Sequence, residues 1–132
     1  MTRRHLFLSH SARDAVLADR LEKALAKLGF STFDPTRDIK PGDDWRAEIH
    51  SAIRRSDVLL LLVASPDSAA TSWMGYEAGM AEALGKRVVA LVSDRFSLAQ
   101  IPSDFAGRSV LRMDPNAPER TAQDIAHHLA AA

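Results

Sequence analysis

Cysteine is absent from the 132-residue chain, which excludes disulfides, thiol nucleophiles and thiolate metal sites. A charge excess is absent as well: seventeen Lys and Arg balance seventeen Asp and Glu, with a pI near 7.0. No basic field therefore exists to draw nucleic acid or an acidic membrane. Long apolar runs are missing, since the longest strongly apolar stretch, Val58 to Ala64, is far too short to span a bilayer. The opening MTRRHLFLSH turns polar after a few residues and forms no secretory h-region. No G-x-G-x-x-G follows the first apolar run, and neither a Walker sequence nor a G-x-S-x-G elbow occurs, which argues against a redox Rossmann site, a P-loop and a hydrolase nucleophile. The expectation is a cytoplasmic protein of one domain, residues 1–132, with no nucleic-acid or membrane partner.

What the chain does contain is an alternation of strand and helix signals without repeats. A domain of this length buries roughly 68% of its unfolded surface and needs no staples. HLFLSH (His5 to His10) reads as a short strand, followed by Ser11 and Asp14 in capping-box spacing. Leu17, Leu21, Ala24 and Leu28 mark one face of a helix that Gly29 stops. FSTFD (Phe30 to Asp34) reads as a second strand, and Trp45, Ile49 and Ile53 recur at i+4 in a second helix. Asp57 to Ser65 and Arg87 to Ser93 are apolar on both faces, the mark of central strands covered by helices on each side. Between them lies a helical stretch, Ser72 to Lys86; Ser109 to Met113 is an edge-strand candidate and Pro118 to Ala131 a closing helix. Five strands joined by mostly helical crossovers predict a doubly wound parallel α/β sheet with helices on both faces, strand order 2-1-3-4-5.

On such a sheet ligands bind beyond the carboxyl ends of the strands, where the strand order switches, here between the first and third strands. Ser9, His10 and Ser11 lie just past one of them, Ser65 to Ser72 past the other, and Phe33 and Asp34 border the same edge. The helix that follows carries two glutamates of different character. Wound at about 100° per residue, Glu77 sits in the apolar arc with Trp73, Met80, Ala81 and Leu84. Glu82 falls opposite, with Lys86 four residues on as a surface partner. Glu77 thus reads as a carboxylate lining a partly desolvated pocket. The alternative is structural, because the helix macrodipole favours acidic residues near a helix start.

The stretch RDIKPGDDW (Arg37 to Trp45) contains Pro41-Gly42, the residues of a type II turn. Asp43 or Asp44 can cap the helix that carries Trp45. The connection is long for a strand-to-helix link, a hint of binding or lid function. The five histidines show no metal-ligand spacing, and no metal is expected.

FLSHSARD, GFSTFD, RDIKPGDDW, SDVLLLLVASP and SWMGYEAGMAEALGKRVVALV, in this order and spacing, resemble the TIR domain family, particularly its bacterial members. The resemblance covers Leu6 to about Val92 well and the remainder loosely. It implies the flavodoxin-like fold, with IKPGDDW as the so-called BB loop. Trp73-x-x-x-Glu77 is similar to the WxxxE pattern of TIR domains that cleave NAD+. The resemblance makes Glu77 the catalytic glutamate, with Trp73, Phe33, Ser9, His10, Asp43 and Trp45 as substrate-binding residues. NAD+ would be the substrate, with no cofactor required. It further implies homotypic TIR–TIR assembly through the BB loop, Asp38 to Trp45, and a bacterial antiphage effector activated by self-assembly, its trigger supplied either by a separate sensor or effector protein or by the rest of a larger protein. Asp34-Pro35 departs from the family pattern and leaves the path of this loop open.

A lone carboxylate suits this chemistry. Glycosidases ordinarily use two, one of them to protonate a poor leaving group. Nicotinamide in NAD+ is already cationic and departs neutral, so a single ionised Glu suffices to stabilise the oxocarbenium-like centre or trap it. Two alternatives stand beside this reading. GYEAGMAEALGKRVVAL also resembles the nucleoside 2-deoxyribosyltransferases, which place a nucleophilic Glu on a comparable helix. Many TIR domains, in contrast, act as interaction or adaptor modules without catalysis.

Overall fold

All six residues of Val58–Val63 are buried, and their side chains alternate between two separate apolar clusters. That alternation organises the whole molecule. The computed structural model describes residues 4–64, 72–97 and 109–130, with the side chains of Ser72 and Trp73 outside that description. The elements are β1 (His5–Ser9), α1 (Ala15–Lys27), β2 (Ser31–Phe33), α2 (Pro35–Asp38), α3 (Trp45–Arg55), β3 (Val58–Val63), α4 (Ser72–Ala83), β4 (Arg87–Ser93), β5 (Ser109–Met113) and α5 (Pro118–Ala130). The strands form one parallel sheet in the order β2-β1-β3-β4-β5, the flavodoxin-like arrangement expected from the sequence.

Successive strand side chains point to opposite faces. Leu6, Leu8, Val58, Leu60, Leu62, Val89 and Leu91 meet α1 and α5 through Leu21, Leu25, Ile125 and Leu129. Phe7, Leu59, Leu61, Val63, Val88, Ala90 and Val92 meet α3 and α4 through Ile49, Ile53, Met74, Ala78 and Ala81. Each fully buried Leu or Ile contributes about 1.5–3 kcal/mol relative to exposure, so two such layers fix the register. By the same alternation, Ser9 shares the face of Phe7. It points toward α4.

Several local expectations are corrected. Leu28 is 45% exposed because α1 ends at Lys27 and the chain turns at Gly29, with φ +92; the helical period no longer applies there. Leu84 is likewise outside its helix and 37% exposed, and the buried arc of α4 runs through Met74, Glu77, Ala78 and Ala81. Ser11 and Asp14 form no capping box: Ser11 precedes a single 3-10 turn, Ala12–Asp14, and its hydroxyl donates to the Asp14 carboxylate at 3.3 Å. Beyond Asp34 the chain forms a one-turn helix where a loop was expected. Asp34 caps it by accepting from the Thr36 amide at 3.0 Å, and Pro35 opens it, a position where the missing N–H costs nothing.

The Pro41-Gly42 turn is present. The Asp43 amide donates to the Lys40 carbonyl at 3.0 Å, and Gly42 takes φ +94, the left-handed value that glycine adopts without strain. Of the two candidate caps, Asp44 serves α3, accepting from the Ala47 amide at 3.2 Å. Asp43 closes the turn instead, accepting from the Lys40 amide at 2.9 Å. Among the described residues no helix is long and apolar enough to cross a membrane.

Candidate active site

Glu77 is 1% exposed, as deep as the leucines around it. Its helix places it against the carboxyl end of β1, where the Ser9 hydroxyl, itself fully buried, donates to Glu77 Oε1 at 2.6 Å. The other oxygen, Oε2, is buried without a hydrogen-bond partner among the described residues. Burial pushes the Glu77 carboxyl up to about 7, and nearby Asp34 adds to this; the Ser9 bond and the His10 charge work in the opposite direction. A carboxyl so placed is half ionised near neutrality. One of its oxygens is anchored, and the other has no hydrogen-bond partner among the described residues.

The cavity that Glu77 borders measures about 210 Å³ and is lined by His10, Ala12, Asp34, Pro35, Thr36, Trp45 and Glu77. Trp45, the first residue of α3, is 41% exposed and supplies an aromatic wall. His10 leaves the end of β1 with a buried ring. Its Nδ1 donates to the Ser11 carbonyl at 2.8 Å, while Nε2 lies 2.8 Å from Asp34 Oδ2 and 3.2 Å from Thr36 Oγ1. With acceptors at both nitrogens, the ring is best satisfied as an imidazolium. Burial works against that charge, but the bonds to Asp34 and the Ser11 carbonyl outweigh it and raise the His10 pKa. Asp34, 4% exposed, is the reciprocal case: desolvation is overcome by hydrogen bonds from His10, Glu22 and Thr36, and its carboxyl is held well below the usual range.

The cavity brings together three of the residues singled out in the sequence, His10, Trp45 and Glu77. The others lie elsewhere. Ser9 sits behind Glu77 and supports it. Phe33 pairs with Phe7 in the β1–β2 register, so both rings share one face and stack at 5.5 Å. Phe33 lines a larger cavity of about 550 Å³ with His5, Thr32, Arg37 and Arg55, at the far end of β1, which contains neither His10 nor Glu77. Asp43 is occupied in its turn. The Trp73 side chain, like residues 65–71, lies outside the described residues.

Asp34, expected at this edge, lines the cavity, and Thr36 beside it was not expected there; Glu22 and Arg37, also not expected, pair with each other outside the cavity lining. Glu22 carried the same signal as Glu77. It stands at i+4 from buried Ala18 and i−3 from buried Leu25, a carboxylate on an apolar arc. Arg37 Nη1 donates to Glu22 Oε2 at 2.7 Å, and its Nη2 donates to Asp38 Oδ2 at 2.7 Å and the Thr32 carbonyl at 2.6 Å. Among the described residues no group of three or more His, Asp or Glu side chains could hold a metal ion.

The architecture defines a flavodoxin-like α/β protein with a desolvated carboxylate at the strand-order switch. The TIR domain model matches residues 6–130, and the chain belongs to the TIR domain family. Its fold is similar to the TIR domain of the Toll-related receptor TRR-2 from Hydra magnipapillata, with a TM-score of 0.74 at 17% identity over 95% of this chain and 97% of that one. It is also similar to the CMP N-glycosidase BcmB of Clostridium botulinum, with a TM-score of 0.62 at 17% identity over 93% and 98%. A 2-deoxyribosyltransferase from Bacillus psychrosaccharolyticus gives a TM-score of 0.63 at 18% identity over 87% and 90%. No curated protein matches the chain in sequence.

Proposed function

We propose that this TIR domain cleaves the bond between nicotinamide and ribose in NAD+, with Glu77 as the catalytic carboxylate. The observation that carries the reading is the buried Glu77 carboxyl lining a cavity of about 210 Å³, with Oε1 held by Ser9 at 2.6 Å and Oε2 without a hydrogen-bond partner among the described residues. In this mechanism the C–N bond breaks with its electron pair going to the nicotinamide nitrogen, which leaves neutral. Oε2 faces the anomeric carbon and stabilises its positive charge or bonds to it transiently. Water then attacks the carbon and gives its proton to Glu77, and ADP-ribose departs; attack by a group of the substrate itself yields a cyclic product instead. Trp45 offers a face to the pyridinium, a contact strengthened by the ring's charge.

The direct test is to mix the purified protein with NAD+, follow nicotinamide and identify the ribosyl product by mass spectrometry. Absence of nicotinamide at every protein concentration would sink the proposal. The likeness to a CMP N-glycosidase and a deoxyribosyltransferase favours N-glycosidic chemistry as a class. It also keeps a second reading in play, in which the base leaves a deoxynucleoside. Base exchange on deoxynucleosides, with NAD+ left intact, identifies that outcome.

The reaction needs Glu77 ionised, and its carboxyl titrates at about 7 in the free protein. We expect kcat/KM to rise about tenfold per pH unit below that value and level off above it. The kcat limb should lie at lower pH, because the bound pyridinium favours the ionised carboxylate. A flat profile between pH 5 and 7 would remove Glu77 from the role.

Assembly with other copies through the BB loop, Asp38 to Trp45, belongs to the same proposal. This segment includes Trp45, which walls the cavity, so packing against it couples association to the site. Specific activity should rise with protein concentration, and Gly42→Pro should abolish that rise, because proline cannot adopt φ +94. Activity strictly proportional to concentration, unchanged in the variant, contradicts the coupling. Self-association without turnover under any condition would leave an interaction module, the remaining reading for a domain of this family.

A further inference from the structure

Ser9 is the last residue of β1, paired with Leu61 of β3, and its side chain is fully buried. The sheet therefore fixes where its hydroxyl stands. That hydroxyl has one acceptor among the described residues, Glu77 Oε1 at 2.6 Å. It carries a single proton. If Ser9 instead accepted from a protonated Oε1, its own proton would be buried without an acceptor, an arrangement that folded proteins avoid. Ser9 thus donates to Oε1 whether Glu77 is ionised or neutral. The carboxyl proton, when present, is left to Oε2, which has no hydrogen-bond partner among the described residues.

We propose that Ser9 is a positioning residue that divides the Glu77 carboxyl: it holds Oε1 as a permanent acceptor, so that Oε2 alone carries the proton of the resting acid and meets the ribosyl carbon in the reaction. Its part in turnover rests on the NAD+ reading given above; the division of the two oxygens does not. This is a different role from the substrate contact that the family resemblance implies, because Ser9 does not line the cavity. A donor to a carboxylate binds the anion more strongly than the neutral acid, so Ser9 also favours the ionised, working form. The titratable groups that face Glu77 are His10, just past β1, whose charge acts in the same direction, and Asp34, at the end of β2, which acts against it. Burial is the largest influence and brings the carboxyl to about 7. Without the Ser9 hydroxyl, His10 alone opposes burial and Asp34. The carboxyl then ionises at still higher pH, and either oxygen is free to carry the proton.

The test uses the full chain with 13C-labelled glutamate carboxyls, titrated by NMR beside Ser9→Ala and Ser9→Thr, with the Glu77 signal assigned by its loss in Glu77→Gln. The Glu77 midpoint should rise by about one pH unit or more in Ser9→Ala, the worth of a hydrogen bond to a charged group, and Ser9→Thr, which keeps the hydroxyl, should restore it. The acid limb of kcat/KM for nicotinamide release should move with it. Ser9→Ala should run about tenfold or more below the unaltered protein at pH 6, with the gap narrowing toward pH 9. A Glu77 midpoint that is the same in Ser9→Ala, or two pH profiles that stay parallel, overturns the proposal, since a merely structural serine lowers stability and leaves the midpoint where it is. If no protein releases nicotinamide, the NAD+ reading fails while the NMR midpoints still decide this one. If Ser9→Ala does not fold, the Ser9 hydroxyl proton of the unaltered chain decides alone: it should shift downfield at the Glu77 midpoint, and a signal indifferent to that titration overturns the proposal.

Discussion

Glu77→Gln should lower nicotinamide release by about 100-fold or more, the usual consequence of removing one electrostatic contact to a charge that develops in the transition state. The same substitution should raise stability. Glu77 has a carboxyl at about 7 when folded against 4.5 when exposed. Its favourable contribution is complete below pH 4.5 and is lost as pH rises through 7. At pH 8 the folded protein carries a buried charge that a glutamine lacks, and the amide retains an oxygen for the Ser9 hydroxyl. The gain is at most about 3 kcal/mol. Opposite signs for activity and stability in one variant distinguish a working carboxylate from a structural one, since loss of a structural partner lowers stability. Thermal unfolding beside the nicotinamide assay measures both, and a Gln variant that is less stable and fully active would refute the assignment.

The second large effect is expected at Asp34→Ala. Asp34 is 4% exposed and joins β1 to α2: it pairs with His10 at 2.8 Å and caps α2 through Thr36. Removing it leaves a buried imidazolium without its counter-charge, which costs about 3–5 kcal/mol, and an uncapped helix start, which costs about 1 kcal/mol. Asp34→Asn should recover the cap but not the ion pair, and so fall between the two. Because the folded carboxyl is held below the ordinary 3.8, its contribution is present above that pH and fades as pH falls. The stability gap to Asp34→Ala should shrink in acid. Urea unfolding at pH 7 and pH 3 reads both. A loss below about 1 kcal/mol at pH 7 would show that the His10–Asp34 contact carries little energy.

Arranged this way, the two residues divide the work of the site. Glu77 supplies a desolvated charge from α4, and Asp34 holds the wall that faces it. His10 connects them, because its imidazolium pairs with Asp34 and lowers the cost of ionising Glu77. Acidic side chains from opposite faces of one sheet thereby reach a common cavity at its carboxyl edge.

Much of this was readable from residue patterns alone. Continuous apolar runs at Val58–Val63 and Arg87–Ser93 announced doubly covered central strands, and their spacing with helices led to the observed order. Glu77 on an apolar arc announced a buried carboxylate, and Pro41-Gly42 announced a turn with positive φ at glycine. These features are local. Each follows from a repeat of two or 3.6 residues, or from the backbone freedom of one residue, and such constraints act within a few positions of the chain. The meetings that build the site are different in kind: Ser9 with Glu77 spans 68 positions, and His10 with Asp34 spans 24. Phe33 faces Phe7 instead of the cavity, and Glu22 reaches Arg37, because packed layers set the spacing between faces. Periodicity tells which face a side chain joins, and only the docking of α1, α2 and α4 onto that face selects its neighbours.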